Sequence, residues 1–304
     1  MINKVIWETL ELLKMILPIM FISLILSNIF FLLPQIKNLI DKMRYGSLVL
    51  AFLAHPVIGS SILANLYKKQ ILKEGELIYL FLFSLIPKTF RRSLIILGPV
   101  AISTLGLMLA LTYVTLELLS TIIIIAIIFL IIKTINKNYK INNFRYKYNY
   151  KFKIRECIVR SLTLFFRVSL ILATSIFLVM LLLELGFLEI LSKICEQFLA
   201  TFDLSPVGMI IVVAGIPSMI AGIGVAGSLL AKNVIDSYSA LFFIFIASLF
   251  NSITELMRLF LPLNISFFGV RLGIKLSLIN FTTRILSCIL SIIILLILNI
   301  NIKY

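Results

Sequence analysis

The chain has 304 residues and a formal net charge of +15, with 61% hydrophobic and 13% charged residues. Soluble domains contain roughly half apolar and about a quarter charged residues, so this composition excludes an ordinary soluble enzyme or binding domain. It predicts an all-α, polytopic helical membrane protein whose outer surface faces lipid.

Long apolar runs recur along the chain and approach or exceed the roughly 18–20 residues that span a hydrocarbon core. They are residues 15–33, 93–116 and 161–183, and the segment "ILSCILSIIILLIL" near the C-terminus continues the pattern. Residues 1–14 mix acidic and basic side chains, and no small-residue cleavage site follows the first run. We therefore expect that run to be a retained span rather than a signal peptide.

A strongly basic segment, residues 133–160, separates two apolar halves and carries nine Lys and Arg residues against the single acidic Glu156. By the positive-inside rule it predicts a cytoplasmic linker of a multi-pass protein in the cell membrane. Attraction to anionic lipid head groups is compatible with this position. We expect the lipid bilayer, and no nucleic acid, to be the partner of this segment.

The two halves, residues 1–132 and 161–304, align with each other at a nearly constant offset in residue number. "GSSILANLYKK" (59–69) matches "GIGVAGSLLAK" (222–232), and "SLIPKTFRRSLIILGP" (84–99) falls on "SLFNSITELMRLFLPL" (248–263). The order of features also repeats, and this predicts two internal repeats, since two repeats in one membrane chain are typical of transporters. An odd number of crossings in each half makes the repeats inverted and an even number makes them parallel; we lean toward inverted.

Each half contains an amphipathic connector, at 33–46 and 187–202, which we interpret as a helix lying in the membrane interface. A segment rich in Pro, Gly and small residues follows, at 46–67 and 206–231. A short polar hinge comes next, at 68–76 and 232–239.

The Pro- and Gly-rich segments predict a broken helix or a re-entrant hairpin in each half. Proline removes a backbone donor, and in hydrocarbon the freed backbone groups need partners within protein or in a watery cavity. Tight helix packing through small residues is the alternative interpretation. The candidate substrate-binding residues on these segments are His55, Pro56, Gly59, Ser60, Ser61, Asn65, Pro217, Ser218, Gly222, Gly224 and Ser228.

A second group of polar residues follows the apolar run 240–250 and adds Asn251, Thr254, Glu255 and Arg258 to the candidate site. Glu255 and Arg258 are one helical turn apart and are expected to pair, either inside the protein or as a surface salt bridge. The corresponding part of the first half carries Lys88, Arg91 and Arg92. We interpret these as a basic turn at the cytoplasmic edge.

No motif in the sequence points to a catalytic or metal centre. The three cysteines, at positions 157, 195 and 288, are far apart, and His55 is the single histidine, so neither a disulfide framework nor a metal site is expected. No G-x-S-x-G or H-E-x-x-H motif is present. We therefore expect no cofactor and no enzymatic activity.

The segment "HPVIGSSILANLYKKQILKEGELIYLFLFSLIPKTFRRSLIILGP" (55–99) resembles the nucleoside-recognition, or Gate, domain family, and 215–262 repeats it less faithfully. This family includes concentrative nucleoside transporters, the membrane part of ferrous-iron transporters and spore-maturation membrane proteins. The resemblance implies two tandem Gate repeats that move or bind a small solute. The chain departs from the iron transporters, because no P-loop motif is present and none of its cysteines falls in 46–69 or 206–232.

These observations predict an integral membrane transporter or permease for a small polar solute or ion, with its site at the interface of the two repeats. The alternative is a non-transporting membrane scaffold or assembly protein related to the spore-maturation members. Buried polar groups in a cavity at the repeat interface favour transport, whereas a dry, fully packed interface favours the scaffold. The sequence is compatible with a homo-oligomer and does not choose the solute.

Overall fold

The structure is a computed structural model and describes residues 46–54, 56–135 and 206–303, with scattered positions between 5 and 22 and between 159 and 185. All regular elements in these ranges are helices. His55, residues 136–158 of the basic linker and the connectors 33–45 and 187–202 lie outside the described residues. So do most of the expected spans 15–33 and 161–183.

The first described part contains five α-helices and one π-helical segment. They are α1 (Gly46–Ala54), α2 (Pro56–Lys68), α3 (Glu74–Phe90), π1 (Arg91–Leu97), α4 (Gly98–Leu105) and α5 (Leu107–Ile135). The second part begins with a short 3-10 turn, Pro206–Gly208. It continues with α6 (Met209–Gly215), α7 (Met219–Ala231), α8 (Ser237–Glu255), π2 (Leu256–Phe260), α9 (Leu261–Phe268) and α10 (Val270–Lys303).

Three helices in the described ranges are long and apolar enough to cross a membrane, and this confirms the predicted helical membrane class. They are Leu107–Ile132, Ser237–Phe268 and Val270–Leu298. The last includes the apolar run that the sequence places near the C-terminus. Their outer faces expose large apolar side chains, among them Met108 at 79% and Leu130 at 63% of the full residue surface, as contact with lipid requires.

The expected span 93–116 is not one helix, and this prediction is wrong. Helix α4 ends at Leu105, and Gly106 adopts a φ of +82° before α5 begins. A positive φ of this kind interrupts a right-handed helix and is accessible mainly to glycine. Gly269 adopts a φ of +80° between α9 and α10 and makes the same break in the second half.

The segment 206–231 folds back on itself, as the sequence predicts for a broken helix. A Cβ atom on Gly222 would lie 2.9 Å from the Cα of Gly215. Seven residues of continuous helix would separate the two positions by about 10.5 Å, so α6 and α7 form a hairpin. Its turn is Ile216–Ser218.

The segment 46–67 folds back in the same way, because α1 and α2 contact each other. A Cβ atom on Gly59 would overlap the ring of Phe52, which lies on the preceding helix. The absence of a side chain at Gly59 therefore allows the close approach of the two helices. Both small-residue segments thus combine a chain break with tight packing.

Helices α5 and α10 contact each other and run antiparallel. Val114, near the start of α5, belongs to the same buried apolar cluster as Leu295, near the end of α10. Ile125, near the end of α5, belongs to a second cluster with Leu276, near the start of α10. The long helices therefore pass through both clusters in opposite directions.

Each hairpin contacts the half of the chain to which it does not belong. A Cβ atom on Gly227 of α7 would lie 2.5 Å from the carbonyl oxygen of Thr104 on α4. Helix α2 contacts α9 in the same manner. Both hairpins therefore pack at the contact between the two halves.

Candidate functional site

A cavity of about 400 Å³ lies between the two hairpins. Pro56 and Ser60 line it from α2, and Pro217 and Ser218 line it from the turn before α7. Helices α3, α5, α7, α8, α9 and α10 and both π-helical segments supply the rest of its wall. The volume is within the range of about 300–1,000 Å³ that is usual for small-molecule pockets.

A chain of four alternating charges crosses this cavity. Arg92 Nη1 lies 3.1 Å from Glu117 Oε1, and Arg92 Nη2 lies 3.7 Å from Glu255 Oε1. Glu255 Oε2 in turn accepts a hydrogen bond from Arg284 Nη1. Side-chain exposure of these four residues lies between 10% and 24%, so the network is largely removed from water.

The network joins both halves of the chain through the π-helical segments. Arg92 lies at the start of π1, and Glu255 is the last residue of α8, directly before π2. A π-bulge widens the helix locally and often occurs at functional sites. Ser93 Oγ, the next residue of π1, donates a hydrogen bond of 2.8 Å to Glu117 Oε2.

The cavity lining carries more positive than negative charge. Its basic residues are Lys88, Arg91, Arg92, Arg258 and Arg284, and its acidic residues are Glu117 and Glu255. Basic side chains therefore exceed acidic ones by three. Charged groups close to membrane-spanning helices are costly and usually functional.

Several polar atoms near the cavity are buried without a hydrogen-bond partner among the described residues. They are Arg92 Nη2, Arg284 Nε and Nη2, Asn251 Oδ1 and the Tyr113 hydroxyl. Asn251 uses its other group, because its Nδ2 donates a 2.9 Å hydrogen bond to the carbonyl of Ile216 in the hairpin turn. The side-chain amide of Asn251 therefore anchors the α6–α7 turn, while its Oδ1 has no hydrogen-bond partner among the described residues.

Lys88 contributes a cation with aromatic neighbours. Its Nζ lies 4.6 Å from the ring centroid of Phe52 and 4.1 Å from that of Phe81. Both distances fit cation–π contacts. Lys88 thus places a basic group in the cavity wall and contacts the α1–α2 hairpin through Phe52.

The structure brings eight of the fifteen sequence-predicted site residues to the cavity. They are Pro56, Ser60, Pro217, Ser218, Asn251, Thr254, Glu255 and Arg258. His55 lies outside the described residues. The remaining candidates do not line the cavity: Gly59, Gly222, Gly224 and Ser228 are buried, Ser61 is half-buried and Asn65 is exposed.

The interpretation of Arg92 as part of a basic turn at the membrane edge is wrong. Its side chain is 19% exposed and pairs with two carboxylates inside the protein. The pairing expected between Glu255 and Arg258 is not formed, because Glu255 bonds to Arg284 and Arg92 instead. The π2 segment begins at Leu256 and removes the α-helical spacing on which that expectation depends.

Sequence reasoning also missed Glu117 and Arg284 as site residues. Each lies within a long apolar helix, and hydropathy alone gives no sign of which way the side chain points. An isolated charge within a membrane span was the available signal. Among the described residues, no group of three or more His, Cys, Asp and Glu side chains lies close enough together to hold a metal ion.

Three proteins of Methanocaldococcus jannaschii are similar to this chain, and all three are described as uncharacterized. MJ1589 is 28% identical over 240 residues, covering 76% of this chain and 95% of its own. MJ0871 is 26% identical over 265 residues (84% and 80%), and MJ0880 is 26% identical over 252 residues (79% and 80%). Each matched stretch is longer than either half of the chain, so the similarity extends over both halves.

No protein-family model matches the chain. No solved structure matches it either.

Proposed function

We propose that this protein is a membrane transporter for a small polar solute or ion, and that the solute binds in the cavity between the two hairpins. The observation that carries the proposal is the buried network of Glu117, Arg92, Glu255 and Arg284 beside a cavity of about 400 Å³. Charged groups at membrane depth are expensive and commonly mark the path of an ion or substrate. A scaffold that only holds helices together would be served by small residues in contact.

The proposal includes two internal repeats, because corresponding helix ends recur at one constant offset in residue number. Four pairs of helix ends differ by this same number of residues. They are the first residues of α2 and α7, the last residues of α2 and α7, the first residues of α3 and α8, and the first residues of α5 and α10. These pairs are Pro56 and Met219, Lys68 and Ala231, Glu74 and Ser237, and Leu107 and Val270. The same offset pairs His55 with Ser218.

Backbone conformation supports the same offset. Gln70 and Asn233, the two non-glycine residues with positive φ in the described ranges, have values of 56° and 54° and form one such pair. Gly106 and Gly269, with φ of +82° and +80°, form another. A shared sequence origin explains why such uncommon backbone conformations recur at matching positions.

The antiparallel course of α5 and α10 favours inverted repeats. These helices correspond to each other in the two repeats, and both are long enough to cross a membrane. If corresponding spans run in opposite directions, the axis that relates the repeats lies in the membrane plane. The ion pair between Lys275 Nζ and Glu74 Oε1, at 2.9 Å, joins the first turns of α10 and α3 and so links the two halves.

Within this proposal the repeats are Gate-type units, as the resemblance of 55–99 implies. The two hairpins are then re-entrant, and in transporters built from inverted repeats the interrupted helices form the substrate site near the membrane midplane. The basic linker 133–160 faces the cytoplasm, and the protein resides in the cell membrane.

An uptake screen in proteoliposomes tests the proposal. The purified chain would be reconstituted and offered nucleosides, divalent metal ions and small organic anions and cations. Ser218→Cys, in a background in which the native cysteines are replaced, places a thiol in the cavity lining. We expect modification of this thiol by a small methanethiosulfonate reagent to block uptake.

Ser228→Cys in the same background is the matched control. Ser228 is buried on α7, where its Oγ donates to the carbonyl of Val225, and it does not line the cavity. We expect the reagent to leave this variant active. If the reconstituted, folded protein moved none of the solutes, the scaffold hypothesis would replace the transporter.

A further inference from the structure

We infer that the cavity binds a small oxyanion, whose carboxylate or phosphate oxygens are held by Arg284 and Arg92. This inference deepens the proposed function, and it relies on that function only for the statement that the anion is carried across the membrane. Binding itself is a property of the purified protein and is tested separately.

The charge of the cavity wall gives the first argument. Five basic residues face two carboxylates, and both carboxylates are already engaged, Glu117 by Arg92 and Glu255 by Arg284. The cavity wall therefore presents more basic than acidic groups to a solute. This excess of basic groups would repel a cation in the cavity, whereas it would attract an anion.

The open hydrogen-bond donors give the second argument. Arg284 bonds to Glu255 through Nη1, while its Nε and Nη2 are buried without a partner among the described residues. These two nitrogens form one edge of the planar guanidinium. That edge matches the spacing of two oxygens on a carboxylate or phosphate and binds them bidentately. Arg92 Nη2, whose ion pair with Glu255 Oε1 is 3.7 Å long, also has no hydrogen-bond partner among the described residues.

The energy of these open donors favours a bound ligand. A buried donor without an acceptor costs about 1–3 kcal/mol, and a charged donor costs more. An oxyanion provides two acceptors and satisfies Arg284 Nε and Nη2 together. The same atoms gain little from a neutral solute that offers a single acceptor.

Other residues of the lining define the rest of the solute. Asn251 Oδ1 is an open acceptor, so it fits a hydroxyl, amide or ammonium group on the same molecule. Apolar side chains, including Met219, Phe245 and Leu263, form much of the remaining wall. The class that matches is a small organic anion with one hydrogen-bond donor and a compact body.

Calorimetric titration of the purified protein in detergent tests the inference. The probes are sodium lactate, sodium succinate and inorganic phosphate, with uridine and choline chloride as neutral and cationic comparisons at the same ionic strength. We expect saturable binding of at least one anion and none of uridine or choline. Arg284→Gln is expected to weaken anion binding by about tenfold or more, the usual effect of losing a charged hydrogen bond.

A second variant keeps the test valid if Arg284→Gln fails to fold. Arg258 is exposed, and its side chain lines the cavity without forming an ion pair within 4 Å among the described residues. Arg258→Gln is therefore expected to fold and to weaken anion binding several-fold. Arg271→Gln, the same change at an exposed position on α10 outside the cavity lining, is expected to leave binding unchanged.

Two results would overturn the inference: no anion binding at millimolar concentration, or equal weakening by Arg258→Gln and Arg271→Gln.

Uptake measurements distinguish this inference from the proposed transport function. Anion binding with the expected variant effects supports this inference even if reconstituted vesicles move nothing, which would contradict the transporter alone. Uptake of a cation or a neutral nucleoside without anion binding would support the transporter and overturn this inference.

Discussion

Arg92 and Glu255 form an ion pair across the contact between the two halves of the chain, with Arg92 Nη2 3.7 Å from Glu255 Oε1. Arg92 and Glu255 differ in residue number by as much as the first residues of α3 and α8 do. Arg92 lies just after the end of α3, and Glu255 is the last residue of α8. In the repeats proposed above, Arg92 and Glu255 therefore occupy corresponding places and carry opposite charges. A contact between corresponding residues of two such repeats lies on the axis that relates them.

Removal of the shared carboxylate tests the importance of this network. Glu255→Gln leaves the largely buried Arg92 and Arg284 without one partner each. We expect the free energy of unfolding to fall by about 3 kcal/mol, as when one member of a buried ion pair is lost. Thermal unfolding in detergent measures the change. Lys69→Gln, an exposed change outside the network, should stay within about 0.5 kcal/mol of the parent.

A double charge reversal distinguishes a network from an isolated pair. Arg92→Glu combined with Glu255→Arg keeps opposite charges on the axis but places like charges beside Glu117 and Arg284. We expect the double variant to remain as unstable as Glu255→Gln or to be worse. Full recovery of the thermal midpoint would show that the two flanking ion pairs contribute nothing.

Inverted repeats place corresponding residues on opposite sides of the membrane. In the proposed repeats Lys69 and Lys232 are such a pair, since each directly precedes one of the two non-glycine residues with positive φ in the described ranges, and both are exposed. We expect Lys69→Cys and Lys232→Cys, each in a background without native cysteines, to react with an impermeant maleimide from opposite sides of sealed vesicles. Reaction of both from the same side would show that the repeats are parallel.

The glycines that end α4 and α9 are expected to resist substitution for conformational reasons alone. Gly106 and Gly269 have φ near +80°, and a Cβ atom at either would meet nothing within 4 Å. Gly106→Ala and Gly269→Ala should each cost about 1–3 kcal/mol of stability, the usual cost of a residue held in a glycine-only region. Gly75→Ala, inside α3 and without positive φ, is the matched control and should be neutral or stabilising.

Asp236 begins α8 as its N-cap and accepts hydrogen bonds from the backbone N–H groups of Tyr238 and Ser239. Partial burial raises the pKa of the Asp236 carboxyl, but the hydrogen bonds from Ser239 and Tyr238 outweigh that effect and leave it below its ordinary value. A lowered folded-state pKa stabilises the protein above the unfolded-state pKa, and this stabilisation is lost as pH falls through the folded-state value.

We therefore expect Asp236→Ala to cost about 1 kcal/mol at neutral pH, the usual contribution of an N-cap. The difference from the parent should shrink as the pH falls below the ordinary carboxyl range of about 4. Thermal unfolding in detergent at a series of pH values measures it. Asp236→Asn retains a capping oxygen without a charge, so its difference from Asp236→Ala should not change with pH.

Features that depend on local sequence could be predicted. Hydropathy identified the class of protein, and Pro and Gly located the breaks in 46–67 and 206–231. The polar hinges 68–76 and 232–239 contain the turns that follow α2 and α7. Each of these properties is determined by a short stretch of chain, because proline, glycine and apolar periodicity act on their immediate neighbours.

Features that depend on contacts between distant segments could not be predicted. Arg92 follows Arg91 and lies near Lys88, which is the usual pattern of an interfacial basic cluster. Its two carboxylate partners lie on α5 and at the end of α8, and no local pattern reports them. The run 93–116 looked continuous for a related reason, since hydropathy does not show that Gly106 adopts a positive φ.

In the proposed repeats, the opposite charges of Arg92 and Glu255 also affect which halves associate. Two copies of the first half would bring two arginines together on the axis, and two copies of the second half would bring two glutamates together. Like charges in direct contact are unfavourable, although Arg92 keeps Glu117 and Glu255 keeps Arg284 as a partner within its own half. The charges on the axis therefore favour association of unlike halves over association of identical ones.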